Sequence, residues 1–409
     1  MAKKIDLPEP IIPNDSWKIV KLGDYVKILN GYPFDSGRFT NSSENTFPLI
    51  RIRDVVRGYT ETFTDEDCPD EYKIKKDEIL IGMDGDFNIS RWKSDFGLLN
   101  QRVCKIKSAS KDLDENFLYY YLSIPLKQIN DATPSVTVKH LSSNSLQQLH
   151  FPLPTLAEQQ RIVNRIETMF AKLDEAKEKA QNVVVSFETR KAAILHKAFS
   201  GQLRIDNEEL KIEDWEEKKL GEVCESIFDG DHMPPPKAES GIPFLVISNV
   251  NTGFLSFDNT RYVPNDYYDS LSETRKPKTG DVLYTIVGSY GIPVLVDSDR
   301  AFCFQRHMAL LKPSKLISSR YLWYVLQSNE MYQKATSIAT GTAQLTVPIK
   351  GLRELTIPVP PLNYQLSIVN FLDIVLEKES RSKEAVQNVL DQIALLKKTI
   401  LARAFRGEL

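Results

Sequence analysis

Residues 152–163 read PLPTLAEQQRIV and residues 358–369 read PVPPLNYQLSIV, and the recurrence of this run decides the architecture of the 409-residue chain. Laid on each other without a gap, residues 149–203 and 355–409 are identical at 21 of 55 positions. The ladder includes Pro152/Pro358, Pro154/Pro360, Gln159/Gln365, Ile162-Val163-Asn164 against Ile368-Val369-Asn370, and Ala198-Phe199 against Ala404-Phe405. Upstream the likeness continues more loosely: Trp17 with Leu22-Gly23 answers Trp215 with Leu220-Gly221, and Gln101-Arg102 answers Gln305-Arg306. Two copies of roughly 200 residues make a duplicated domain pair, not a solenoid.

Each copy changes character at its P-x-P. Before it, short apolar or alternating runs such as PLIRIRDV, EILIGM, IPFLVISNV and DVLYTIV, punctuated by Gly, Pro, Asn and Asp, read as strands with loops. After it, the period turns helical. Ile162, Ile166, Met169, Leu173, Ala176, Ala180, Val183 and Phe187 keep a 4-3 spacing, with Ile194 one heptad on; Ile368, Leu372, Val375, Val386, Val389, Ile393, Leu396 and Ile400 repeat it. Arg190 interrupts the first seam, Glu379 and Ser382 the second. Thr155 with Glu158 has the form of a capping box, which Pro361 removes from the second copy, and Gly201 and Gly407 stand where glycines end helices.

Helices this long outrun a globular domain, so the expected partner of each seam is the other seam, and the connectivity predicts an antiparallel pair. The predicted fold is α+β: two mixed α/β domains, 1–152 and 204–358, separated by long coiled-coil helices, 153–203 and 359–409, with pseudo-twofold symmetry.

Composition narrows the function classes. Hydrophobic residues make 42% and charged residues 26% of the chain, ordinary for a globular protein, and no apolar run reaches the length of a membrane span. The start, MAKKIDLPEPIIP, lacks the apolar core of a secretory signal, so a cytoplasmic location is expected. Cys68, Cys104, Cys224 and Cys303 form no C-x-x-C pair and read as buried thiols; His140, His150, His196, His232 and His307 show no ligand spacing. No metal site, nucleotide-phosphate loop or nucleophile elbow is present as a motif; Gly82/Gly85 and Gly288/Gly291 read as turns. No catalytic residue and no cofactor is therefore assigned to this chain.

Polar recognition chemistry remains. The first copy offers Arg51, Arg53, Lys75, Lys76, Arg91, Lys93, Asn100, Gln101 and Arg102. The second offers Ser248, Asn249, Lys276, Lys278, Gln305, Arg306, Thr342 and Gln344. Arg, Asn and Gln read purine edges in the major groove, while lysines and hydroxyls suit phosphates. Such clusters recur at matching places, although 52 basic against 55 acidic residues give a net charge of -3, unlike a freestanding nucleic-acid binder.

The two P-x-P runs, the A-F-x-G-[QE]-L helix ends, the NGYPFDS element at 30–36 and DGDHMPPP at 229–236 resemble the conserved regions of Type I restriction-modification specificity subunits. Tyr364 departs from the acidic residue usual at that place, present as Glu158 in the first copy. The resemblance implies two target-recognition domains, each reading half of a bipartite, asymmetric sequence in double-stranded DNA. It further implies two modification subunits carrying S-adenosylmethionine and restriction subunits using ATP and Mg. A non-catalytic protein-binding scaffold and an enzyme with an unrecognised site stay open as rivals.

Overall fold

The computed structural model describes residues 7–8, 17–133, 139–205, 208–209, 215–230 and 235–409. Most of the N-terminal stretch, His232 and residues 231–234 of the DGDHMPPP run lie outside the described residues. The chain forms two compact units, Met1–Ala180 with Val389–Leu409, and Gln181–Asn388. They divide within the long helices.

In the first unit, β1 (Lys18–Lys21) pairs antiparallel with β11 (His150–Leu153). An antiparallel sheet runs in the order β2 (Val26–Asn30), β10 (Val103–Ser108), β7 (Ile79–Gly82) and β8 (Ile89–Arg91). A second sheet runs β3 (Phe39–Thr40), β5 (Phe63–Thr64), β4 (Phe47–Ile50), β9 (Phe96–Leu99), β6 (Lys73–Lys75), with β4 and β9 parallel. Helices α1 (Ile52–Arg57), α2 (Glu115–Ala132), α3 (Ser143–Gln148) and α4 (Leu156–Phe199) complete the series.

The second unit repeats this plan. After a short pair, β12 (Arg204–Ile205) with β13 (Glu208–Glu209), β14 (Glu216–Lys219) pairs with β22 (Thr356–Val359). One sheet runs β15 (Cys224–Asp229), β21 (Met308–Pro313), β18 (Val282–Thr285), β19 (Pro293–Leu295). Another runs β17 (Arg261–Val263), β16 (Ile242–Leu245), β20 (Cys303–Phe304), with β16 and β20 parallel. Its helices are α5 (Leu220–Val223), α6 (Asn265–Ser270), α7 (Ser319–Leu326), α8 (Asn329–Ile338), α9 (Ile349–Glu354) and α10 (Leu362–Ala404). The chain is thus mixed helix and sheet; the four-stranded sheet keeps one strand order in both units, while the other sheet has five strands in the first unit and three in the second.

Buried polar side chains explain part of the sequence ladder. Gln159, fully buried, accepts a hydrogen bond from the Asp114 backbone N–H through Oε1 at 2.8 Å and donates through Nε2 to the carbonyls of Asp112 and Pro154. Gln365 does the same with Ser318 N–H and the carbonyls of Leu316 and Pro360. Each glutamine locks the start of a long helix to the loop before a domain helix. A second shared device is a lysine held by a carboxylate across two strands: Lys105 to Glu78 at 3.1 Å and Lys312 to Asp281 at 2.6 Å. Both P-x-P helix starts are therefore anchored in their domains, whether or not a capping threonine is present. Thr155 Oγ1 accepts weakly from Glu158 N–H at 3.4 Å, but the Glu158 carboxylate is taken by Arg161, so only half of the expected box forms. Gly201 and Gly407 are left-handed, at φ 70° and 72°, and the N–H groups of Gln202 and Glu408 return to the carbonyls of Lys197 and Arg403, closing both helix ends. All four cysteines are buried; burial pushes the Cys104 and Cys224 thiols up to about 12.

The long helices pair antiparallel inside each unit. In the first, Lys397 meets Asp174 at 2.5 Å and Arg161 donates to the Leu409 carbonyl at 3.0 Å. In the second, Lys383 meets Glu188 at 2.6 Å and Arg190 meets Glu379 at 2.9 Å. The polar interruptions Arg190 and Glu379, one from each seam, thus answer each other, with Arg190 also stacked on Phe187 at 4.3 Å. A part-buried ion pair of this kind favours one register over its neighbours.

The seam itself differs from the sequence reading. Ile162 and Ile166 are buried in the first domain's core together with Ala404 and Phe405. Ile368 and Leu372 are buried in the second domain's core together with Leu195 and Ala198, with Ile194 packed at its edge. Phe187 and Ile393 are buried, and Met169, Leu173, Val375, Val386 and Ile400 are half-buried. Val183, Val389 and Leu396, however, are 41%, 45% and 48% exposed. An α-helix turns at 3.6 residues, so a strict 3.5-residue pattern drifts by about 20° per heptad. In each unit the domain core holds the helix ends.

Candidate nucleic-acid interface

Gln101-Arg102 lie in the turn from β9 to β10. That turn closes with Val103 N–H donating to the Asn100 carbonyl at 2.9 Å. Behind it stands Gly31, whose N–H donates to the Val103 carbonyl at 2.9 Å; a Cβ there would sit 2.0 Å from the Asn100 carbonyl oxygen. Glycine is required because two backbones touch. In the second repeat Met308 N–H donates to the Gln305 carbonyl, and a Cβ on Gly230 would lie 2.3 Å from the Phe304 oxygen.

Strand pairing corrects the correspondence read from the letters. Leu49 pairs with Leu98 and Ile50 with Leu99, as Phe244 pairs with Cys303 and Leu245 with Phe304. Asn100 therefore matches Gln305, Gln101 matches Arg306, and Arg102 matches His307. The shared Gln-Arg dipeptide is displaced by one residue, because backbone hydrogen bonds set the register.

A second loop lies alongside each turn. Met83 N–H donates to the Arg102 carbonyl, and Ile286 N–H to the His307 carbonyl. The same loops are bridged on their far side: Asp84 pairs with His140 and Val287 with Thr346. Gly85, Gly288 and Gly291 have φ of 77°, 72° and 89°, as expected of turns. In the first repeat Arg102 approaches Asp84 at 3.4 Å and His140 Nδ1 lies 2.6 Å from the same carboxylate. In the second, Gln344 is exposed with its amide nitrogen over Gly288, and Thr342 is exposed nearby in sequence. Burial and the adjacent Arg306 guanidinium hold the His307 imidazole below its ordinary value, so it is neutral near pH 7.

The predicted residues fall into two groups. Because β4 and β9 are parallel, the α1 start and the Asn100–Val103 turn leave the sheet at one edge, as do Ser248 and Gln305 in the second repeat. Arg51, Arg53, Gln101, Arg102, Ser248 and Arg306 are exposed at those edges. Lys75 instead pairs with Phe96 and Arg91 with Ile79, at the opposite ends of the same strands. Lys75, Lys76, Arg91 and Lys93 are thus separated from the turn, and so is Lys278, which precedes β18.

Several are committed to the scaffold. Arg91 donates to the Asp77 carbonyl and to Asn116, and stacks on Tyr119 at 5.2 Å. Lys93 covers Gly58 with its methylenes. Lys276 pairs with Glu273 and lies over Tyr268; Lys278 pairs with the same glutamate. Asn249 is buried and caps Val246 N–H while donating to the Asp258 carbonyl, the place Asp54 fills for Arg51 N–H. Asn100 is buried and accepts from Gln101 N–H. Polar residues recur at matching positions partly because the scaffold uses them. Of Asp84, His140 and His307, which the sequence did not single out as interface residues, only Asp84 stands in a glycine element, between Gly82 and Gly85; the two histidines reach these loops through tertiary pairing.

The chain matches the family model of the Type I restriction modification DNA specificity domain twice, over residues 14–184 and 212–392. It is 32% identical to the Type I restriction enzyme EcoBI specificity subunit of Escherichia coli, covering 97% of this chain and 87% of that one. It is 25% identical to the MjaVIII specificity subunit of Methanocaldococcus jannaschii, over 93% and 92%. Among solved structures, the HsdS subunit from Thermoanaerobacter tengcongensis shares the fold at a TM-score of 0.54 and 21% identity, covering 97% of this chain and 98% of that one. A chain from a type I R-M system studied for complex assembly and conformational transition reaches 0.72 at 20% identity, covering 98% and 100%. With two matched repeats that span most of its length, the chain belongs to the Type I restriction-modification specificity subunits.

Proposed function

We propose that each repeat reads one half of a bipartite, asymmetric site in double-stranded DNA with its turn edge: α1, Gln101 and Arg102 in the first, Ser248, Arg306 and His307 in the second. The observation that carries this reading is one loop cluster built twice on matching strand registers but tipped with different side chains, as two different half-sites require. Donors on loops reach base edges, and exposed arginines supply phosphate contacts.

The paired helices act as the spacer between readers and as the dock for two modification subunits. Val389, Leu395 and Leu396 in the first unit and Val185, Leu366 and Ile374 in the second are exposed apolar residues on these helices, the kind of surface a partner covers. Such partners add phosphate contacts to those made by the net acidic chain. In this reading the chain is itself non-catalytic and acts in the cytoplasm. S-adenosylmethionine belongs to the modification subunits, and ATP with Mg to the restriction subunits. No helix among the described residues is long and apolar enough to cross a membrane.

Exchanging residues 215–350 for the same region of a relative tests the reading. Methylation mapping should show one half-site replaced and the other retained. A change in both halves contradicts independent readers; folded chain that binds no duplex even at low salt favours a protein scaffold, and turnover by the purified chain alone favours an enzyme.

A further inference from the structure

The two repeats differ at the position beside the turn. In the first repeat the Asp84 side chain is 15% exposed and holds two groups that are each 55% exposed, the Arg102 guanidinium at 3.4 Å and the His140 ring at 2.6 Å. An ionised carboxylate only accepts, so His140 Nδ1 carries the proton and Nε2 is the ring's remaining polar atom. Arg102 uses Nη1 towards Asp84, leaving the Nη2–Nε edge, a two-donor fork. The loop is braced from behind: Gly85 N–H donates to the Lys139 carbonyl, Asn130 donates to the Gly85 carbonyl, and Lys139 Nζ donates to the Asn130 carbonyl at 2.6 Å. At the matching positions of the second repeat stand Val287, His307 and Thr346, which supply neither the carboxylate nor the fork.

We propose that Asp84 is a positioning residue that orients Arg102 to select guanine at one position of the first half-site. This rests on the reading of the turn edge as the DNA-contacting surface. A guanidinium fork matches the O6 and N7 acceptors of guanine. A long side chain drawn towards a carboxylate 3.4 Å away samples fewer orientations than a free one and loses less freedom on binding, so discrimination improves even though no new contact to DNA is made. The second reader, without an equivalent of Asp84, has no such device at this place.

The test is selection of duplexes from a randomised library by the full chain, read by sequencing, for wild type, D84N, R102A, R102K and D84N/R102A. Wild type should select guanine at one position of one half-site. R102A should lower that preference about ten-fold, and R102K by less, because an ammonium still donates to O6 and N7 but without the fixed planar fork of the guanidinium. D84N should lower it at the same position, leave the other half-site unchanged, and add nothing on top of R102A. The unchanged half-site reports that each variant is folded. If R102A relaxes the position but D84N does not, the positioning role is wrong while the reading of the turn stands. If R102A and R102K leave every position as in wild type, or the selected base is not guanine, the proposal is overturned. If wild-type chain enriches nothing, the reading beneath it falls as well.

Discussion

The first and second repeats use Gln159 and Gln365 in the same way, each tying a helix start to three backbone groups. At the turn edge they part: Asp84, Arg102 and His140 in one repeat face Val287, His307 and Thr346 in the other. Positions buried with their polar atoms satisfied cannot change without leaving a donor or acceptor unpaired, which costs more than an exposed change. Exposed loop tips carry no such penalty. Shared letters between the repeats therefore mark scaffold, and differing letters on a shared backbone mark where two readers would diverge. The helices show the same contrast, since Arg190 and Glu379 cross as an ion pair in the second unit, while their counterparts at the repeat offset, Leu396 and Leu173, are apolar.

The largest effect is expected from the helices. Inserting one heptad at the same level of α4 and α10 adds about 10 Å, at ~1.5 Å per residue. Duplex DNA rises ~3.4 Å per base pair, so the unspecified gap should lengthen by about 3 base pairs. The readers would also rotate about the duplex, so activity should drop; methylation mapping of the variant reads the gap, and an active protein with the original spacing would show that the helices do not set it. Next, Q159L and Q365L each strand one N–H and two carbonyls, and each should cost about 3 kcal/mol or more in its own unit. Thermal unfolding would check this, and a loss below 1 kcal/mol would make the shared glutamine ornamental. A smaller contrast separates the lysine devices. D281A leaves Lys312 without its carboxylate at a site where both side chains are about one-tenth exposed, costing roughly 3 kcal/mol, whereas E78A acts on a wetter pair and should cost about 1 kcal/mol. Equal losses in denaturant titrations would remove that distinction.

Much of the architecture was legible because duplication and period survive in letters. The P-x-P runs, the C-terminal glycines and the antiparallel pairing expected from connectivity all have counterparts in the structure. The seam was legible at Ile162, Ile166, Ile368 and Leu372 but not at Val183, Val389 and Leu396, since where the drift comes to the surface depends on where domain cores grip the helices. The interface was harder. Letters aligned Gln101-Arg102 with Gln305-Arg306, while hydrogen bonds from Gly31 and Gly230 place the turns one residue apart. Asn249 and Arg91 have recognition chemistry but spend it on backbone carbonyls and caps, which only tertiary pairing reveals. Asp84 and His140 are 56 residues apart and meet through a bridge that no local spacing announces.

Independent reading by the two turn edges is tested most directly by methylation mapping in cells that carry either Q101A/R102A or R306A/H307A in the otherwise intact chain. The first variant should relax base preference in one half of the site, and the second should relax it in the other half, each by about ten-fold at the affected position. The account is contradicted if either variant loosens both halves together, or if both variants methylate the wild-type site with unchanged preference.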